Sequence, residues 1–110
     1  MRPIPRSQLP HTATLMKPTG DGYAAEVLMP VATLTRVYIA QAMAQGLTKD
    51  DTPTEQTALL LFDARHSRPK DVQFALGQRV LFGGIVYRVE AIEPLFDRAR
   101  LHHTEVSLRV

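Results

Sequence analysis

The sequence predicts an all-β domain, a small antiparallel β-barrel or sandwich of about six strands, and three observations carry that expectation. From Gly77 to Pro94, two runs rich in Val, Ile, Phe and Tyr flank a Gly83-Gly84 pair, and two glycines can supply the positive φ angles of a tight hairpin turn. Near the C-terminus Thr104, Val106, Leu108 and Val110 alternate with His103, Glu105, Ser107 and Arg109, the period of a half-buried strand. The run Ala58-Leu59-Leu60-Leu61-Phe62 is almost continuously apolar, as expected of a strand covered on both faces.

Taken in order, residues 1–10 form an extended N-terminal arm, because Pro3, Pro5 and Pro10 remove backbone donors and oppose a helix. Such an arm lies on its own domain, the commoner arrangement, or reaches a neighbouring subunit. A first strand is expected from His11 to Met16, stopped by the turn residues Pro18 to Gly22. Tyr23 to Met29 reads as irregular, and Val31 to Ile39 as a second strand. Ala40 to Gln45 are good helix formers followed by Gly46, so 40–53 reads as a long loop or short helix between strands. A connection of that length is either a variable surface loop or part of an assembly interface, where Met43 and Leu47 would be its apolar contacts.

The third strand spans Gln56 to Phe62. One of its covers is the domain core, and the other is a candidate contact with a neighbouring subunit through Leu59 and Leu61. The next segment, Asp63 to Asp71, holds a basic cluster of Arg65, Arg68 and Lys70, balanced in part by Asp63 and Asp71. A solvated loop is the favoured reading there, ahead of a phosphate-binding patch. In the glycine hairpin the two-residue turn sets Phe82 opposite Ile85, Val80 opposite Tyr87 and Gln78 opposite Val89 on the core face. The other face then carries Leu81 opposite Val86 and Arg79 opposite Arg88, a like-charge pair that something must offset. Either the side chains splay into water near Glu90 or Glu93, or an apolar patch edged by arginines docks on a partner. Leu95 to Arg100 reads as a link to the final strand.

The 110 residues fit one domain able to bury a core, with 45% hydrophobic and 22% charged residues, ordinary for a globular protein. No apolar run reaches the length of a membrane span, no signal-peptide pattern follows Met1, and no cysteine is present, which together predict a cytoplasmic chain without membrane, disulfide or thiolate chemistry. A net charge of +2 is too small by itself for a nucleic-acid grip, although the pI of about 9.3 passes a first screen for one. Adjacent residues of a regular strand point to opposite faces, so His102 and His103 are not expected to chelate one metal ion. Asp63 and Asp97 each lie beside arginine in what reads as polar loop, and a solvated acid is the ordinary explanation. Ser67 lacks a nucleophile elbow and Gly83-Gly84 precedes a strand, so no catalytic residue, cofactor or metal is expected. A nucleic-acid-binding barrel of OB type remains an alternative, with Tyr38, Phe62, Phe82 and Tyr87 as the available aromatics.

Four stretches also carry a resemblance: Arg2-Pro3-Ile4-Pro5-Arg6 with His11 to Leu15; Leu60 to Lys70; the Gly77 to Leu95 hairpin; and Leu101-His102-His103-Thr104-Glu105-Val106. In that order they resemble the minor capsid proteins of tailed bacteriophages, over most of the chain apart from Gly20 to Pro30 and 40–53. The resemblance implies a virion protein of the neck, assembled in the host cytoplasm, similar to the small β-barrel head-completion or stopper proteins that form a ring between portal or adaptor and tail. Its implied partners are further copies of itself, the portal or adaptor, tail proteins, and genomic DNA that passes without sequence-specific binding. The candidate contacts are then Arg2, Ile4 and Arg6 of the arm, Met43 and Leu47, Leu59 and Leu61, and the hairpin face of Arg79, Leu81, Val86 and Arg88.

Overall fold

The structure is a computed structural model that describes residues 2–20, 26–45 and 53–110, the side chains of 43–45 and 53–55 apart. After a short 3-10 turn at Arg6–Gln8 come six strands: β1 (His11–Thr19), β2 (Val27–Gln45), β3 (Pro53–Asp63), β4 (Arg79–Phe82), β5 (Ile85–Asp97) and β6 (Arg100–Arg109). All pairings are antiparallel, and the order β1-β2-β3-β6-β5-β4 closes on itself as a barrel. The seam is the short β1–β4 ladder, where Leu15 opposes Val80 inside and Thr14 opposes Leu81 outside.

The interior is filled by Ala13 and Leu15 of β1, Leu34, Val37 and Ile39 of β2, Ala58, Leu60 and Phe62 of β3, Val80 of β4, Tyr87 and Val89 of β5, and Val106 and Leu108 of β6. Val72 and Phe74, from the segment before β4, pack against this cluster. The glycine hairpin has the expected register, Arg79↔Arg88 through Phe82↔Ile85. Gln78 continues it by accepting a hydrogen bond from the Val89 amide at 2.8 Å.

β2 is much longer than the expected Val31–Ile39. It pairs with β1 up to Val37 and with β3 from Val37 onwards, one side after the other. The helix-forming run Ala40 to Gln45 is strand, because Ala40↔Leu59, Gln41↔Ala58 and Ala42↔Thr57 extend the ladder and pairing overrides a weak local preference. What remains of the expected 40–53 loop, residues 46–52, lies outside the described residues, as do residues 21–22 of the turn expected at 18–22 and residues 23–25 of the irregular stretch, while Pro18 and Thr19 continue β1 instead of stopping it. Leu95 to Arg100 is likewise no link: β5 and β6 run on to Asp97↔Arg100 around the two-residue turn Arg98-Ala99.

Prolines misled the placement of strand ends for one physical reason. A proline removes only its own N–H, which does no harm where a strand is paired on one side. Among the described residues, Pro18, Pro30 and Pro94 each lie on a stretch with a single strand partner. There they leave a weaker template for a foreign strand.

β2 serves both of its neighbours by changing face. Leu34 opposes Ala13 and Val37 opposes His11, so two inward residues are three apart where a regular strand would place them two apart. The offset sits at Arg36, whose φ of 54° is left-handed. The turn after β3 holds it there. Thr35 and the backbone of Arg68 exchange hydrogen bonds of 3.0 and 3.1 Å, and the Ser67 hydroxyl donates to the Arg36 carbonyl while accepting from the Asp63 amide. Asp63 is therefore not a solvated acid. It is 2% exposed, and its Oδ2 accepts from the amides of Arg65 and His66 at 3.1 and 2.7 Å, closing the turn that presents Ser67.

Ser67→Ala should lower the unfolding free energy by about 2 kcal/mol, since a buried amide and a part-buried carbonyl both lose their partner. In the same denaturant experiment Leu60→Ala, at the centre of the interior, should cost about 2–5 kcal/mol. Outward-facing Leu59→Ala should stay within about 0.5 kcal/mol.

Candidate assembly surfaces

The arm folds back on its own barrel. Leu9 is fully buried, and Ile4, Ser7, Gln8 and Pro10 border a hollow floored by Tyr38 of β2 and Leu61 of β3. The second cover of Leu61 is therefore the chain's own arm. Arg2 is tied by its backbone, with its carbonyl 2.7 Å from His102 Nε2, while the side chains of Arg2 and Arg6 are exposed. Leu9 carries little local warning of its burial. Its signal was a lone leucine between polar residues and a proline.

Leu59 stays open, 36% exposed on the outer face, opposite Ala40 on one side and Ser107 on the other. Small side chains surround it, so β2, β3 and β6 together form a shallow groove that Ala42, Thr57, Glu90 and Arg109 also border. Beyond Thr57, β6 ends and the β2–β3 ladder continues to Gln45↔Pro53 as a two-stranded ribbon. Met43 is on it by its backbone, opposite Gln56; its side chain and the whole of Leu47 lie outside the described residues.

Leu81 and Val86 form an exposed, directly opposed pair on β4 and β5, on a different part of the barrel wall from Leu59. The next transverse row holds Arg79, Arg88 and Arg109 on three adjacent strands. Neither Glu90 nor Glu93 offsets the Arg79–Arg88 repulsion. Arg79 instead pairs with Glu26 at 2.9 Å and donates to the Gly77 carbonyl, which turns it away from Arg88. Arg88 remains exposed between two arginines.

The basic cluster is not assembled as one patch. Arg68 folds onto its own turn, with Nη1 donating to the carbonyls of Arg65 and Ser67 at 2.9 Å each. Arg65 and Lys70 border a second hollow with Pro3, Asp63, Asp97, Arg100 and His102. His102 and His103 are brought together against expectation. The register steps from Leu95↔His103 to Phe96↔Leu101, so His102 is an extra residue on β6, and at such a bulge neighbouring side chains no longer alternate. Their Nδ1 atoms lie 2.7 Å apart. Among the described residues no three metal-ligating groups cluster.

The aromatics offered for base stacking are mostly spent. Tyr87 is fully buried with its hydroxyl accepting from Gln41 Nε2 at 2.8 Å, and Phe62 is in the core, edge-on to Phe74. His11 lies tilted against Tyr38 and edge-on to Phe82 while its Nδ1 accepts from the Ile39 amide at 3.0 Å. Tyr38 alone of the four is exposed, beside the arm.

Compared with family models, curated proteins and solved structures, the chain matches none of them.

Arg88→Gln should raise stability at low salt by about 0.2–0.5 kcal/mol by easing its like-charge contacts across the ladder, and the gain should shrink as salt screens them. Denaturant unfolding of both proteins at two ionic strengths reads this directly.

Proposed function

We propose that this chain is a structural subunit of the tailed-phage neck. Copies of it join in a closed ring between portal or adaptor and tail, complete the head, and let the genome pass without sequence-specific binding. The observation that carries the reading is the pair of unlike exposed apolar patches on one closed barrel, the Leu59 groove and the Leu81–Val86 pair. A head-to-tail ring needs two different, mutually complementary surfaces on every subunit, whereas a two-fold dimer needs one. The order of motifs that resembles minor capsid proteins supports the same reading, and so does a β-ribbon long enough to reach past the barrel wall. In this arrangement the groove around Leu59 receives the Leu81–Val86 pair of the next copy.

A nucleic-acid-binding barrel is the second reading, and the exposed Arg88 and Arg109, opposed on adjacent strands, are the observation in its favour. Phosphate contacts by that pair would make binding to short DNA steeply salt-dependent. The spent aromatics weigh against single-strand recognition by stacking, where each base needs an open ring.

Leu59→Asp and Leu81→Asp should each fold and each yield DNA-filled heads that do not acquire tails, and purified subunits of either variant should fail to form rings under conditions where the wild type does. Mixed in equal amounts, the two variants should stop at dimers, because each mixed pair holds one intact patch of each kind. Normal tail joining by both variants would overturn the assignment of these patches. Deleting residues 2–8 keeps Leu9 and should leave a folded barrel that does not join heads to tails. Infectious, DNA-filled particles from that deletion would remove the arm from the contact set.

A further inference from the structure

The turn after β3 and the β5–β6 turn bring one cationic surface together, at the opposite end of β3 from the β2–β3 ribbon. Arg65 and Lys70 of the first turn border the same hollow as Arg100 and Leu101 of β6, and Arg98 stands beside it in the second turn. Among the described residues none of these four cations has an ion-pair partner. The two acids at the hollow are already committed. Asp63 accepts from the amides of Arg65 and His66, and Asp97 has an interaction of its own. Like charges gathered on one surface repel each other, and an anion relieves them.

That surface is not purely polar. Phe96 of β5 opposes Leu101 of β6, and the two are 56% and 41% exposed. Opposed residues share a face, so an aromatic and an aliphatic side chain stand together in water beside the arginines. Aromatic surface next to arginine is the composition of a protein-binding patch, whereas a phosphate grip needs the cations alone. The turn is also strained. Arg98 has a φ of 58°, in the left-handed region where glycine is the default, and strain of this kind collects at surfaces that are used.

We infer that the tip of the β5–β6 hairpin and the hollow beside it dock an acidic segment of another protein, one that carries an apolar side chain among its carboxylates. Charge complementarity sets the sign of the partner, and Phe96 with Leu101 sets its apolar share. The carboxylates go to Arg65, Lys70, Arg98 and Arg100, where a guanidinium can take both oxygens of one carboxylate. The apolar side chain covers Phe96 and Leu101. This contact is separate from the two wall patches: Val86 and Phe96 lie at opposite ends of β5, and Leu59 pairs with Ser107, well along β6 from Leu101. It stands whether or not copies join in a ring.

The full chain and a short fluorescent peptide, Ser-Glu-Leu-Glu-Glu-Leu-Ser with its C-terminus blocked, test the inference. Anisotropy should show saturable binding that weakens as salt rises, and amide shifts should map it to residues 64–70 and 95–102. Replacing the glutamates of the peptide by glutamine, or its leucines by serine, should weaken binding at least about fivefold each. Arg100→Glu and Phe96→Ser should do the same from the other side. Lys17→Glu, the same change of charge at an exposed position of β1, should leave affinity within about twofold. No saturable binding by the wild type, or equal binding of the glutamine peptide, would overturn the proposal. Tighter binding of a short DNA duplex that Arg100→Glu abolishes and Phe96→Ser leaves intact would give the surface to nucleic acid instead. A change of oligomer size in Arg100→Glu by sedimentation would give it to a second copy, and either result would contradict the inference.

Discussion

A closed six-stranded barrel requires each strand to keep its apolar side chains inward while the sheet curls, and β2 is too long to do this as a regular strand. It lines β1 with one half and β3 with the other, and between them the chain must turn a corner without losing its inward residues. The extra residue at Arg36 achieves that by resetting which side chains point in, so that Leu34 and Val37 both reach the interior. A left-handed arginine is costly by itself. It persists because its carbonyl is held by Ser67, which is held by the turn that Asp63 closes. Two buried residues of one turn, Asp63 and Ser67, thus set the course of the longest strand and, through it, the closure of the barrel.

The same constraint separates what could be read in the sequence from what could not. The glycine hairpin was legible to the residue because Gly83-Gly84 supplies a local reason for its register, and β6 was legible because one face is buried and the other is not. The second half of β2 was hidden. Ala40 to Gln45 have no strand preference, and only the β3 partner, which runs from Leu59 opposite Ala40 to Pro53 opposite Gln45, makes them extended. Asp63 and Ser67 looked like solvated loop residues since nothing local announces a corner in another strand. His102 and His103 were judged on regular alternation, and the bulge that unites them depends on the register with β5. In each case the missing information was a partner strand, a tertiary fact that no window of sequence contains.

The surfaces left over by closure have a definite arrangement. A closed barrel exposes few backbone edges, and where strands are paired on one side only, prolines stand in them. Association through added strands is thereby weakened, and side-chain patches remain as the means of contact. Among its exposed apolar side chains are a patch around Leu59 and another at Leu81 and Val86, while the arm borders Leu61 and the exposed Tyr38. The open apolar surface of the outer wall is what the proposed assembling role rests on.

The neck assignment is tested most directly by electron cryomicroscopy of mature particles with density resolved to side chains at the head–tail junction. The account predicts a ring of six-stranded barrels there, into which this sequence can be traced, with Leu59 of one copy facing Leu81 and Val86 of the next. Particles that are complete, infectious and free of this chain would contradict it.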